Sequence, residues 1–201
     1  LTVHSIAGSL GPARIRAHAF GAGSIQHMND PVQNLRALIR DIPDFPKPGI
    51  VFKDITPLLA DPAGLAMAVE VMANPFRADR VDLVVGAESR GFIFGTAIAQ
   101  SLSCGFVPIR KPGKLPREIH SVEYSLEYGT DTVEMHADSI QPGQKVLMVD
   151  DVLATGGTMA ACCELVEKMG GVVIGCVFLM ELTFLGGRAK LPDAQVFHLL
   201  E

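Results

Sequence analysis

Three stretches of the chain are almost unbroken in apolar residues: VDLVVG (81–86), KVLMVDD (145–151) and GVVIGCVFLM (171–180). Each has the length of a strand, and unbroken apolarity is what a strand buried on both faces requires. GFVPI (105–109) and QVFHLL (195–200) read as shorter strands. Between them lie helical patterns at 89–102 (SRGFIFGTAIAQSL) and 155–170 (TGGTMAACCELVEKMG). Pro62 opens another helix running to about Met72, with Leu65, Val69 and Met72 on its apolar face. NLRALIRD (34–41) predicts a short amphipathic helix. Strands alternating with helices predict an α/β fold, a parallel, doubly wound sheet of about five strands.

Two stretches depart from that alternation. Four prolines fall between Pro43 and Pro57, which predicts extended, turn-rich backbone. VEYSLEYGTDTVEMH (122–136) alternates on either side of Gly129-Thr130, the pattern of a hairpin. Departures of this kind often carry function.

The 201 residues are 48% hydrophobic, with 20 glycines and 13 prolines, a globular composition. The formal charge of −5 argues against a nucleic-acid partner or an anionic membrane surface. No apolar run reaches the length of a membrane span. Cys104, Cys162, Cys163 and Cys176 form no C-x-x-C pair, so they are expected to be small buried side chains in a reducing compartment. Residues 1–27 show neither the 2 nor the 3.6 period and lack the shape of a signal peptide. They are expected to be a disordered extension or a non-native leader, with the folded domain at 28–201 and a hood segment at about 34–60.

VLMVDDVLATGGT (146–158) carries the strongest chemical signal. A strand ends in Asp150 and Asp151, and a short turn through Ala154, Thr155, Gly156, Gly157 and Thr158 starts a helix. The first turn of a helix offers free N–H groups and partial positive charge to an anion such as phosphate. Glycine lets the backbone come close, and the threonine hydroxyls can donate to phosphate oxygens. The two acids stand where ligands bind in open α/β sheets and can accept hydrogen bonds from sugar hydroxyls. One phosphate beside one diol is a ribose 5-phosphate. By shape alone, any α/β protein could contain such a turn. The spacing of a P-loop or a dinucleotide fingerprint is absent.

Other candidates are less specific. Ser89 and Arg90, between a strand and a helix, can bind a second anion. Arg110, Lys111 and Lys114 form a basic cluster after a strand end, with Arg117 a weaker member; such runs are commonly solvated. Phe52, flanked by Val51 and Lys53 in the proline-rich stretch, can stack on a base or belong to the core. Glu127 and Tyr128 lie at the tip of the 122–136 hairpin, where they can close over a reacting centre or merely cap a turn. His120 and His136 have no partners at metal-binding spacing.

The 146–158 stretch closely resembles the binding signature for phosphoribosyl pyrophosphate (PRPP) of type I phosphoribosyltransferases. PDFPKPGIVFKDITPLL (43–59), ESRGFIFG (88–95), IRKPGKLP (109–116), YSLEYG (124–129) and ELTFLGGRAKL (181–191) occur in the order and spacing of the adenine phosphoribosyltransferases. The resemblance covers roughly residues 34–201. It implies transfer of the phosphoribosyl group of PRPP to adenine, forming AMP and pyrophosphate in purine salvage.

On that resemblance 154–158 hold the 5-phosphate, and Asp150 and Asp151 the ribose hydroxyls. Ser89, Arg90, Arg110, Lys111, Lys114 and Tyr128 serve PRPP and its pyrophosphate. Phe52 stacks on adenine while the Val51 carbonyl and Lys53 N–H read its edge, and Glu127 and Arg90 are catalytic. It further implies Mg²⁺ carried in by PRPP rather than held by protein ligands, a homodimer, a cytoplasmic location and a cis peptide at Glu88–Ser89. The rivals are a phosphoribosyltransferase for another base, a nucleic-acid-binding regulator that keeps the PRPP pocket, and a plain nucleotide-binding partner protein. PGIVFKD argues against the first, the charge and Glu127 against the second, and the five blocks against the third.

Overall fold

The structure, a computed structural model, describes residues 31–125 and 129–201. Five parallel strands form the main sheet: β3 (Leu83–Ala87), β4 (Gly105–Ile109), β7 (Lys145–Leu153), β8 (Val172–Glu181) and β9 (Gln195–Leu200). Their order is β4-β3-β7-β8-β9, so the longest apolar runs occupy the interior of the sheet, as burial on both faces demands. The faces alternate residue by residue. Val146 and Met148 of β7 point into one core with α5 (Gly157–Lys168), through Cys162 and Leu165. Leu147 and Val149 point into the other, with Met72 of α3 (Pro62–Ala73) and Phe94 and Ile98 of α4 (Gly91–Leu102). Cys162, Cys163 and Cys176 are buried and all four thiols are free; the Cys163 and Cys176 sulfurs lie 3.8 Å apart.

The connections determine where a ligand can sit. From β3 the chain passes through α4 to β4 on one side, and from β7 through α5 to β8 on the other. The carboxyl ends of β3 and β7 therefore border the point where the winding reverses, the crevice that open α/β sheets offer to ligands. Gly91 makes this crevice tight. A Cβ there would lie 2.8 Å from the Val149 carbonyl oxygen and 2.9 Å from Asp150 Oδ1, so only glycine lets α4 start against the end of β7.

Two antiparallel ribbons flank the sheet. β1 (Arg40–Pro43) pairs with β2 (Val51–Asp54), and β5 (Ile119–Ser125) pairs with β6 (Thr130–His136), which packs with β5 on α5. The second ribbon is the hairpin expected from the alternation around Gly129. The N-terminal region differs from the sequence reading in two respects. The first helix, α1 (Pro31–Ala37), ends before Arg40–Asp41, which turn into strand because they pair with Asp54 and Lys53. In the proline-rich stretch, α2 (Thr56–Ala60) is helical, with Pro57 in its first turn, where its missing N–H costs nothing.

Gly175 interrupts the apolar run of β8 for a packing reason. A Cβ there would fall 2.4 Å from the ring of fully buried Phe76 and 3.1 Å from the Gln195 carbonyl oxygen. Gly175→Ala is expected to destabilise the fold by about 1–3 kcal/mol through overpacking. A urea denaturation midpoint equal to that of the parent protein would remove this explanation.

Candidate active site

The glycine-threonine turn and both acids meet at the sheet's switch point. A cavity of about 350 Å³ is lined by Glu88, Ser89, Arg90, Lys111, Asp150, Asp151, Val152, Ala154 and Thr158. Two of its walls follow from local geometry. Gly156 has φ +77°, a left-handed conformation that suits glycine, and caps α5 so that the helix's first turn opens on the loop. The Glu88–Ser89 peptide bond, at the mouth of α4, is cis.

Asp151 is 4% exposed. Burial raises its pKa, and the nearby Arg90 guanidinium opposes that rise. Arg90 Nε is 2.9 Å from Asp151 Oδ2 but off the line that a hydrogen bond needs. That buried oxygen consequently has no hydrogen-bond partner among the described residues. An unpaired buried acceptor is costly, and a hydroxyl presented from the cavity would satisfy it. Asp150 Oδ1 accepts from the Asp151 N–H at 2.9 Å. Burial pushes the Asp150 pKa well up, and the charge of Asp151 pushes it further.

Arg90 also reaches the other way. Its guanidinium carbon stands 5.2 Å from the centre of the Phe52 ring, which meets Phe45 edge-on at 5.2 Å. Phe52 and the acids are thus joined through one cation. Beside them lies a second cavity of about 600 Å³, lined by Asp41, Gly49, Ile50, Val51, Lys53, Thr155, Leu182, Phe184 and Leu185. Of the glycine-threonine loop, Thr155 lines this largely apolar slot while Ala154 and Thr158 line the first cavity. Lys53 Nζ donates to Asp41 Oδ1 at 2.7 Å.

The basic cluster divides. Lys111 lines the first cavity, where its ammonium donates to Asp131 and, at 3.1 Å, to the Tyr124 hydroxyl. That hydroxyl donates to Asp131 at 3.1 Å and accepts from Thr158 Oγ1 at 3.1 Å, tying the α5 N-terminus to the base of the β5–β6 ribbon. Burial works against the charge on Lys111, yet Asp131 and Tyr124 hold its pKa above the ordinary value. Arg110 Nε donates to Glu88 at 2.9 Å and its guanidinium carbon lies 5.7 Å from the centre of the Phe92 ring, so it braces the cavity wall. Lys114 is exposed and is not among the residues lining either cavity. Arg117 pairs with Asp138 at 3.1 Å on the surface, and neither cavity includes it. Glu127 and Tyr128 lie outside the described residues.

Several participants carried no role in the sequence reading. Tyr124 and the 181–191 segment fall inside conspicuous motifs, which is the signal that marks them. Asp131 has no signal beyond its place in the alternating 122–136 stretch, and Asp41 falls at the end of the predicted 34–41 helix. Glu88 does more than precede Ser89, because it also accepts from the Lys111 N–H at 2.8 Å and so anchors the start of the 111–118 loop.

Glu88 generates a test. The Lys111 N–H, with Arg110 and against burial, holds its pKa below the ordinary 4.5. A carboxyl whose folded pKa is depressed stabilises the fold above its unfolded value and loses that contribution as pH falls through the folded one. Glu88→Gln is expected to lower Tm at neutral pH and to flatten the decline of Tm below about pH 4.5. Tm measured from pH 7 to pH 3 decides, and parallel acid limbs in the two proteins would rule out this role.

Comparison with known proteins agrees with this geometry. The model of the phosphoribosyl transferase domain family matches residues 56–199. An adenine phosphoribosyltransferase from Rhodopirellula baltica is 56% identical over 176 residues, 88% of this chain and 83% of that protein. Among solved structures, the adenine phosphoribosyltransferase of Thermoanaerobacter pseudethanolicus matches with a TM-score of 0.82 at 50% identity, covering 84% of this chain and 98% of that one. The Saccharomyces cerevisiae enzyme, crystallised with D-2,5-dideoxy-2,5-imino-altritol 1,6-bisphosphate and adenine, matches with a TM-score of 0.80 at 41% identity, covering 85% and 98%. A relationship this close, over nearly all of the described residues, leaves one assignment: the chain belongs to the adenine phosphoribosyltransferase family.

Proposed function

We propose that the protein transfers the phosphoribosyl group of PRPP to adenine, releasing AMP and pyrophosphate, with the roles that follow. The observation that carries this reading is the buried Asp151 Oδ2, without a hydrogen-bond donor among the described residues, in one cavity with Ala154 and Thr158 of the loop. The N–H groups at the start of α5, with Thr155 and Thr158, hold the 5-phosphate. Asp151, with Asp150, accepts hydrogen bonds from the ribose hydroxyls. Ser89, Arg90 and Lys111 face the pyrophosphate, with Arg110 holding the wall; Lys114 and Tyr128 join them on the family resemblance alone.

Adenine occupies the slot beside Phe52. β2 has only β1 as a strand partner among the described residues, so one edge of its backbone is open. Alternate residues of a strand turn their N–H and C=O groups to the same edge. The Val51 carbonyl and the Lys53 N–H therefore share an edge, spaced to accept from the 6-amino group and donate to N1. In the reaction the C1–N9 bond forms, the C1–oxygen bond to pyrophosphate breaks, and the N9 proton leaves. Glu127 is assigned to the N7/N9 side of the purine by the resemblance. Arg90, touching both Phe52 and Asp151, spans the reacting centre and stabilises charge leaving with the pyrophosphate.

Mg²⁺ enters with PRPP. The donors lining the first cavity include carboxylate and hydroxyl oxygens, the chemistry this hard cation takes, and when bound it offsets the pyrophosphate charge. The homodimer, the cytoplasmic location and the separation of a hood at 34–60 from the catalytic domain also belong to this proposal. Among the described residues no helix is long and apolar enough to cross a membrane.

Hypoxanthine and guanine present O6 and N1–H where adenine presents a 6-amino group and an unprotonated N1, so both hydrogen bonds would be reversed. Each mismatch costs about 1–3 kcal/mol, which predicts a kcat/KM for adenine roughly thirtyfold or more above theirs. Pyrophosphate release from a panel of purines with PRPP and Mg²⁺ tests this. Equal efficiency with adenine and hypoxanthine would overturn the base assignment.

A further inference from the structure

Residues 181–191 lead from the end of β8 towards β9 and border the second cavity through Leu182, Phe184 and Leu185. Gly187 meets the phosphate loop backbone to backbone. A Cβ built on it would lie 2.1 Å from the Ala154 carbonyl oxygen and 2.8 Å from the Gly156 amide nitrogen. The contact is reciprocal, since a Cβ on Gly156 would fall 2.2 Å from the Gly187 carbonyl oxygen. With no side chain between them, a displacement at Gly187 passes directly to residues 154–156.

The next residue is what fixes Gly187. Arg188 Nη2 donates to Glu181 Oε2 at 2.6 Å, and its Nε lies 3.3 and 3.2 Å from the two carboxylate oxygens. Arg188 Nη1 donates to the Val196 carbonyl at 3.3 Å, and His198 Nδ1 sits 2.8 Å from both Arg188 Nη2 and Glu181 Oε2. Glu181 is 4% exposed, and removing the partner of a buried carboxylate is strongly unfavourable, which holds Arg188 in place. Leu182, which faces the apolar slot, has its own anchor in the hydrogen bond from its N–H to the Leu153 carbonyl at 2.8 Å.

We propose that the Glu181–Arg188 ion pair, acting through Gly187, sets the position of the 5-phosphate loop, which makes these three positioning residues for PRPP. The proposal rests on the assignment of residues 154–158 to the 5-phosphate. Its signature is selective. Val51 and Lys53 line the slot from the β1–β2 ribbon rather than from residues 181–191, so loosening the ion pair weakens PRPP more than adenine.

Steady-state kinetics of Arg188→Met, Arg188→Lys, Gly187→Ala and Thr158→Ala test it. Gly187 does not have the positive φ that would itself strain an alanine, so Gly187→Ala acts on the backbone contact without removing either partner of the ion pair. Arg188→Met and Gly187→Ala are expected to raise KM for PRPP roughly tenfold or more, with KM for adenine within about twofold, and Arg188→Lys to recover part of the loss. Should Arg188→Met fail to fold, Gly187→Ala decides alone. If Thr158→Ala leaves KM for PRPP unchanged, the phosphate assignment and the proposal fall together. If Thr158→Ala raises it while Gly187→Ala does not, the phosphate loop stands and its buttress is overturned. Equal rises in both KM values would also overturn it, since they mark general loosening.

Discussion

Asp150 and Asp151 stand side by side at the carboxyl end of an interior strand, where burial opposes the charge of both and the charge of Asp151 further opposes that of Asp150. The surroundings are shaped by the need to accommodate them. Gly91 gives up a side chain so that α4 can begin against Val149 and Asp150. Arg90 supplies a positive charge 2.9 Å from Asp151, without completing a hydrogen bond that would close the oxygen to a ligand. In the proposed reading the unsatisfied Asp151 Oδ2 gains its hydrogen bond when a ribose hydroxyl arrives. A site arranged in this way favours its ligand by being poor without it.

From that pair the rest of the site extends in two directions. Through Arg90 it reaches Phe52 and the β1–β2 ribbon, and so the apolar slot proposed for the base. Through the loop that follows it reaches Thr158, and through the Tyr124 hydroxyl Asp131 and Lys111, the cation proposed for the leaving group. In the proposed reading both ends of PRPP are thereby connected to the carboxylates assigned to its ribose. Gly156 and Gly187 make the loop's far side a backbone contact, so its position is inherited from the end of β8 rather than set locally.

How much of this could be read from the chain depended on contiguity. The interior strands announced themselves because residues such as Val146–Val149 and Cys176–Leu179 are buried on both faces. The acids and the glycine-threonine loop were legible because they lie within one short segment whose physics is local. Arg40–Asp41 were read as the end of a helix because their partners, Asp54 and Lys53, sit across a turn that periodicity does not see. Proline density predicts extended backbone through Pro57, although proline in a first turn also starts helices, as it does here in α2. The walls from Leu182, Phe184 and Leu185, and the contacts of Lys111 with Asp131 and of Thr158 with Tyr124, arise between segments distant in sequence. Conversely, Arg117 shares its stretch of sequence with Lys111 but pairs with Asp138 on the surface. Charge clustering in sequence did not translate into clustering in space.

In the proposed reading the buried Asp151 Oδ2, ion-paired with Arg90 but without a hydrogen-bond donor among the described residues, receives a ribose hydroxyl of PRPP. Calorimetric titration of PRPP into the parent protein and into Asp151→Asn tests it most directly. The amide keeps the size of the side chain but replaces one of the two carboxylate acceptor oxygens with a donor. The account predicts affinity weakened by about tenfold or more, with the fold retained by circular dichroism and Tm. Unchanged PRPP affinity in a folded Asp151→Asn protein would contradict it.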